Sequence, residues 1–69
     1  MIAEHDIVAL TQDRPDVGLR VGDVGTIVHC YANAAAYEVE FVDAHGRTKC
    51  VLTVPAAQLM RLNLLSLSA

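Results

Sequence analysis

The segment Tyr37-Glu38-Val39-Glu40-Phe41 alternates apolar and acidic residues, and this alternation constrains the fold more than any other feature of the sequence. A period of two places successive side chains on opposite faces of a β-strand, whereas an α-helix needs a period near 3.6. We therefore expect the apolar residues of this segment to face a core and the two glutamates to face water. Because no long helical period occurs elsewhere in the sequence, we predict an all-β protein.

Four other segments are rich in β-branched and apolar residues and predict further strands. Together with the alternating segment, the predicted strands cover residues 5–12, 26–32, 37–41, 47–54 and 59–62. Proline and glycine residues between positions 13 and 25 indicate a long loop, and Asp43-Ala44-His45-Gly46 is typical of a hairpin turn. Residues 55–58 are too few for a helix and predict one 3₁₀ turn before the last strand.

Short strands separated by turns are typical of a small barrel or sandwich. We predict a small five-stranded β-barrel over residues 1–62, in which the fifth strand closes the barrel and removes its open edges. Residues 63–69 form an apolar C-terminal tail that does not fit this closure. Its leucines are expected to cover the domain's own surface, to meet a second copy, or to fray.

The charge balance limits the partners that this chain can recognise. The 69 residues carry a formal net charge of −3, and the five basic residues are scattered through the sequence. Nucleic-acid binding usually needs a basic stripe, because neutralised phosphates supply most of the affinity. We therefore do not expect nucleic acid or an anionic membrane as the partner. With no signal peptide or membrane span in the sequence, a cytosolic location is expected.

No combination of residues in the sequence predicts catalysis, a metal site or a bound cofactor. Cys30 and Cys50 lie in apolar segments and are expected to be small buried hydrophobes with reduced thiols. His5, His29 and His45 lack the close spacing typical of metal ligands. A barrel of this size is also not expected to contain a cleft of a few hundred Å³. We predict that the protein is not an enzyme.

The candidate binding residues lie mainly in the long first loop, because long loops on small rigid barrels commonly carry recognition. In this loop Leu19 and Val21 are expected to fold back and cap one end of the barrel. Tyr31 is a further candidate, since exposed aromatic residues anchor many interfaces. The predicted partner-binding residues are Asp13, Arg14, Asp16, Arg20, Asp23 and Tyr31.

Three motifs in this order resemble the DUF4926 family of small bacterial proteins of unknown function. They are the first strand from His5 to Thr11, the glycine-rich turn into the strand Gly22-Asp23-Val24-Gly25-Thr26-Ile27-Val28, and the segment Tyr37–Phe41. The resemblance covers roughly residues 2–62 and implies an SH3-like fold. The first half is also similar to the KOW segment of ribosomal proteins and transcription factors. The family has no established activity, so the resemblance supplies no catalytic residues.

These observations favour a non-enzymatic protein-interaction module that binds a larger bacterial protein, by analogy an antitoxin or immunity protein. A homodimer formed through the C-terminal tail or a barrel edge is a further expectation. Two alternatives stay open. One is a KOW-like protein that binds RNA or the ribosome, and the other is an accessory subunit or chaperone of a metalloenzyme.

Overall fold

The computed structural model describes residues 2–64, which form five antiparallel strands and three short 3₁₀ turns. The strands are β1 (Ile7–Leu10), β2 (Val24–Cys30), β3 (Ala36–Val42), β4 (Thr48–Pro55) and β5 (Leu59–Arg61). The 3₁₀ turns cover Pro15–Val17, Ala32–Ala34 and Ala56–Gln58. The all-β class, the five strands and the 3₁₀ turn before the last strand are therefore confirmed.

The five strands form one sheet with the order β4-β3-β2-β1-β5. Strands β1 to β4 pair in chain order, and β5 then returns to pair with β1. Within residues 2–64, β4 and β5 share no ladder and lie at opposite edges of the sheet. The fifth strand thus extends the sheet beside β1, and the expectation that it would remove the open edges is wrong.

The alternating segment lies in β3 and faces the core as predicted. Tyr37, Val39 and Phe41 are all at least 97% buried. The two glutamates between them were expected to face water and are half-buried instead, and each accepts a hydrogen bond from a threonine hydroxyl of β4. The rest of the core comes from the other strands and from the first loop: Val8, Leu10, Leu19, Ile27, Val54 and Leu59.

Gly25 lies inside β2 and permits a close approach between β2 and β3. A methyl group at this position would lie 2.6 Å from Cγ1 of Val39 and 2.9 Å from the carbonyl oxygen of Glu40. Gly18 and Gly22 have positive φ angles and act in turns, as their positions in the loop suggest. Position 25 requires a residue without a side chain, because the neighbouring strand lies too close for one. The glycine pattern of the sequence alone did not indicate this role.

The predicted C-terminal tail falls only partly within the described residues. Asn63 and Leu64 follow β5, and the Leu64 side chain is exposed. Residues 65–69 lie outside the described part of the chain, so the expectations for their leucines stay predictions.

Candidate functional site

The long first loop, residues 11–23, is folded into a defined shape by its own backbone. Arg14 and Leu19 pair as a two-residue antiparallel bridge, with N···O distances of 2.9 and 3.0 Å. Between them the chain makes the 3₁₀ turn Pro15–Val17 and reverses at Gly18, whose φ of 74° is the left-handed conformation. Because the Leu19 side chain is 98% buried, it anchors the loop in the core.

Two of the predicted binding residues stabilise this shape. The Asp13 Oδ1 atom accepts a hydrogen bond from the Val21 amide at 2.8 Å. The Asp23 Oδ2 atom accepts one from the Arg20 amide at 2.9 Å. Both carboxylates therefore satisfy backbone donors of the loop, which is the ordinary role of aspartate in turns.

Arg14 and Asp16 form an ion pair on the surface of the loop. The Arg14 Nε and Nη2 atoms lie 3.2 and 3.1 Å from the two Asp16 carboxylate oxygens. The hydrogen bond from Arg14 lowers the pKa of the Asp16 carboxyl and raises the pKa of the guanidinium. The Asp16 side chain is 61% exposed, so this pair contributes little to stability and is accessible to a partner.

Two shallow hollows, each about half open to solvent, flank the loop. One has a volume of about 330 Å³ and is lined by Asp13, Pro15, Gly18, Leu19 and Arg20. The other, of about 310 Å³, lies between the loop and the β3–β4 hairpin and is lined by Leu19, Asp23, Val24, Phe41, Val42, Asp43, Ala44 and Lys49. The Lys49 ammonium group donates a hydrogen bond to the Gly18 carbonyl at 3.2 Å and so links β4 to the loop.

Val21 is a functional candidate that sequence reasoning missed. Leu19 is buried as predicted, but the Val21 side chain is 59% exposed and does not cap the barrel. It lies between the two loop residues Arg20 and Gly22, which are also exposed. An apolar residue in a polar loop was the available signal, but the pattern could not tell whether it points inward or outward.

Tyr31 lies at the other end of the sheet, beyond the end of β2, and does not join the loop residues. Its ring is 42% exposed and contacts the His29 ring edge-on, with centroids 4.8 Å apart. Its hydroxyl donates to Oε1 of Glu38 at 3.4 Å, and the Thr53 hydroxyl donates to the same oxygen. The structure thus groups five of the six predicted residues in one loop and separates Tyr31 from them.

The described residues contain no cluster of three or more histidine, cysteine, aspartate or glutamate side chains placed to hold a metal ion. Cys30 and Cys50 are free thiols, half-buried and packed against the core. None of the helical turns in residues 2–64 is long and apolar enough to span a membrane.

The fold and the loop define a small all-β domain that presents a pre-shaped surface loop between two hollows. Residues 4–61, most of the chain, match the family model described as Domain of unknown function (DUF4926). The chain therefore belongs to this family, as the sequence resemblance indicated. No curated protein and no solved structure matches the chain.

Proposed function

We propose that this chain is a non-enzymatic protein-interaction module that docks on a larger bacterial protein through the loop of residues 11–23. The observation that carries the proposal is that the loop is braced internally while the Val21 side chain is left exposed, although the Val21 amide is itself held by Asp13. An apolar side chain on a loop whose backbone is already fixed can be covered by a partner with little further ordering of the loop.

The bracing lowers the cost of binding. A flexible loop loses conformational freedom when it docks, at about 1 kcal/mol or more for each residue that becomes fixed. Here the bridge between Arg14 and Leu19 and the two aspartate bonds have already fixed the backbone. More of the contact energy is then available as affinity, which is the general benefit of preorganisation.

The loop also offers a defined chemistry to its partner. The exposed part of Val21 can contribute about 1 kcal/mol when it is covered, and the two hollows can accept side chains of the partner. Arg20 and the Arg14–Asp16 pair provide charges of both signs around this apolar centre. An apolar centre with a polar rim is typical of transient protein interfaces. We propose that the chain acts as an antitoxin or immunity protein, which binds a larger bacterial protein.

The first test is to purify the tagged full-length protein from its native host, with and without nuclease, and to identify what accompanies it. We expect one protein at near-equal stoichiometry that survives nuclease treatment. Loss of the captured material on nuclease treatment would instead support the KOW-like RNA-binding alternative, whose affinity falls steeply with salt. A captured metalloenzyme would identify the accessory-subunit role.

The second test locates the surface by comparing two matched substitutions. Val21→Lys places a charge at the centre of the loop, and Val28→Lys places the same charge on an exposed valine of β2. We expect Val21→Lys to weaken partner binding at least tenfold, whereas Val28→Lys leaves it within twofold of wild type. Equal binding by both variants, each with an unchanged melting temperature, would refute the loop as the docking surface.

A further inference from the structure

Strand β4 lies at an open edge of the sheet and is long for an edge strand. It runs for eight residues, Thr48–Pro55, and within residues 2–64 it pairs only with β3. Natural proteins usually protect long edge strands with charges, prolines or covering segments, because the free backbone groups pair readily with another strand. The only lysine of this strand, Lys49, is turned toward the Gly18 carbonyl of the loop.

The register shows which backbone groups of β4 face this open edge. The Ala36 carbonyl of β3 accepts a hydrogen bond from Tyr31, so Ala36 faces β2. Backbone groups alternate in direction along an antiparallel strand, and Val39 therefore faces β4, where its partner is Leu52. The N–H and C=O groups of Leu52 are thus directed toward β3.

By the same alternation, Val51 and Thr53 direct their N–H and C=O groups away from β3, toward the open edge. Both residues are exposed, and 51% of the Val51 side chain is accessible. No proline stands next to either residue. The proline of this strand, Pro55, lies two positions after Thr53 and ends the strand. Among residues 2–64, the N–H and C=O groups of Val51 and Thr53 have no strand to pair with, so this edge offers four backbone groups in a row.

We propose that this edge pairs with the β4 strand of a second copy of the chain, antiparallel and about a two-fold axis at Leu52. In this register Val51 lies opposite Thr53 of the second copy, and Thr53 lies opposite its Val51. Both residues of each copy then exchange N–H···O=C bonds with a partner at once. A two-fold axis makes the surface complementary to itself, so an identical strand meets every requirement of the pairing.

The side chains fit this arrangement. Leu52, half-buried and packed against the core, meets its own counterpart on the inner face. Val51 and Thr53 form β-branched cross-strand pairs on the outer face, which are favourable in sheets. Glu40 lies beside Val51, and Glu38 lies beside Thr53. In the dimer the carboxylates of different copies are about three strand spacings apart, roughly 14 Å, which exceeds the screening length of about 8 Å.

The test measures the molar mass of the full chain by light scattering over a range of concentrations. We expect the wild type to approach twice the 7.4 kDa of one chain at high concentration. The variant V51K/T53K is expected to stay monomeric, because lysines would lie opposite each other across the two-fold axis. Each lysine has a glutamate of β3 as its neighbour within the same chain, so the substitution is not expected to impair folding.

Two further variants make the result specific. V51E/T53K places opposite charges across the same axis and is expected to restore the dimer, whereas a ladder centred on Val51 would bring two glutamates together. Val28→Lys changes an exposed valine away from the edge and is expected to dimerise like wild type. A monomeric wild type, or a V51K/T53K variant that still dimerises, would overturn the proposal. Because position 51 lies opposite Glu40 of the same chain, the folding of V51E/T53K is checked by circular dichroism, and a folded but monomeric V51E/T53K variant would overturn the register.

Discussion

Gly25 offers the sharpest test of how this sheet is packed, through the substitution Gly25→Ala. The added methyl group would lie 2.6 Å from Val39 Cγ1, 2.9 Å from the Glu40 carbonyl oxygen and 3.0 Å from Phe41 Cδ1. Ordinary contacts between carbon atoms are about 3.5 to 4.0 Å, so all three neighbours would have to move. The Glu40 oxygen belongs to the backbone of β3, which is held between β2 and β4 and cannot shift freely.

The size of the effect follows from these contacts. Overpacking a closely packed site costs about 1 to 3 kcal/mol, and a backbone neighbour places Gly25→Ala near the upper end. The smaller conformational freedom of alanine in the unfolded chain returns about 0.5 kcal/mol. We therefore expect a loss of about 2 kcal/mol in the free energy of unfolding. For a domain of this size, that corresponds to a fall of about 8 to 16 °C in melting temperature.

The assay is thermal unfolding followed by circular dichroism, with Gly46→Ala as the comparison. A methyl group at Gly46 meets no atom within 4 Å, and its cost comes only from the φ of 79°. Combining each substitution with Val39→Ala separates the two causes. The cost of Gly25→Ala should shrink when Val39 is shortened, whereas the cost of Gly46→Ala should not change. A Gly25→Ala protein as stable as wild type would refute the close approach of β2 and β3.

Two further predictions concern the carboxylates. Asp23→Ala removes the acceptor of the Arg20 amide and should lower the free energy of unfolding, measured by urea titration, by about 1 kcal/mol. The Arg20 amide should also exchange its hydrogen faster, and unchanged exchange there would contradict the bracing role of Asp23. The Asp6 carboxylate accepts a hydrogen bond from the Ala3 amide and is paired with Arg61 at 3.1 Å, and these contacts hold its pKa below the ordinary 3.8. A pKa lowered in the folded state stabilises the protein above the unfolded value and loses that contribution as the pH falls through the folded pKa. Below about pH 4, the melting temperature of Asp6→Asn should therefore depend less on pH than that of the wild type. Parallel pH profiles of the two proteins would show that the contacts of Asp6 with Arg61 and Ala3 have no effect on stability.

The sequence predicted which residues form the candidate site but not how they are arranged. Proline and glycine positions predicted the long loop, and the loop does bring five of the six predicted residues together. The sequence could not show that Asp13 and Asp23 bind backbone amides, because such bonds depend on how the loop folds back on itself. For the same reason it assigned Val21 to the core. The side on which a loop residue lies is decided by the neighbours that cover it.

By itself, the sequence determined the class of fold. Alternation in Tyr37–Phe41 and runs of β-branched residues allow only strands, since side chains that alternate along the chain can share one face only in an extended backbone. The tertiary structure alone decided which strands lie at the edges of the sheet. Pairing of β5 with β1 joins segments some fifty residues apart, and it depends on packing that no local pattern encodes. That pairing left β4 open, and with it the surface where we expect a second copy to bind.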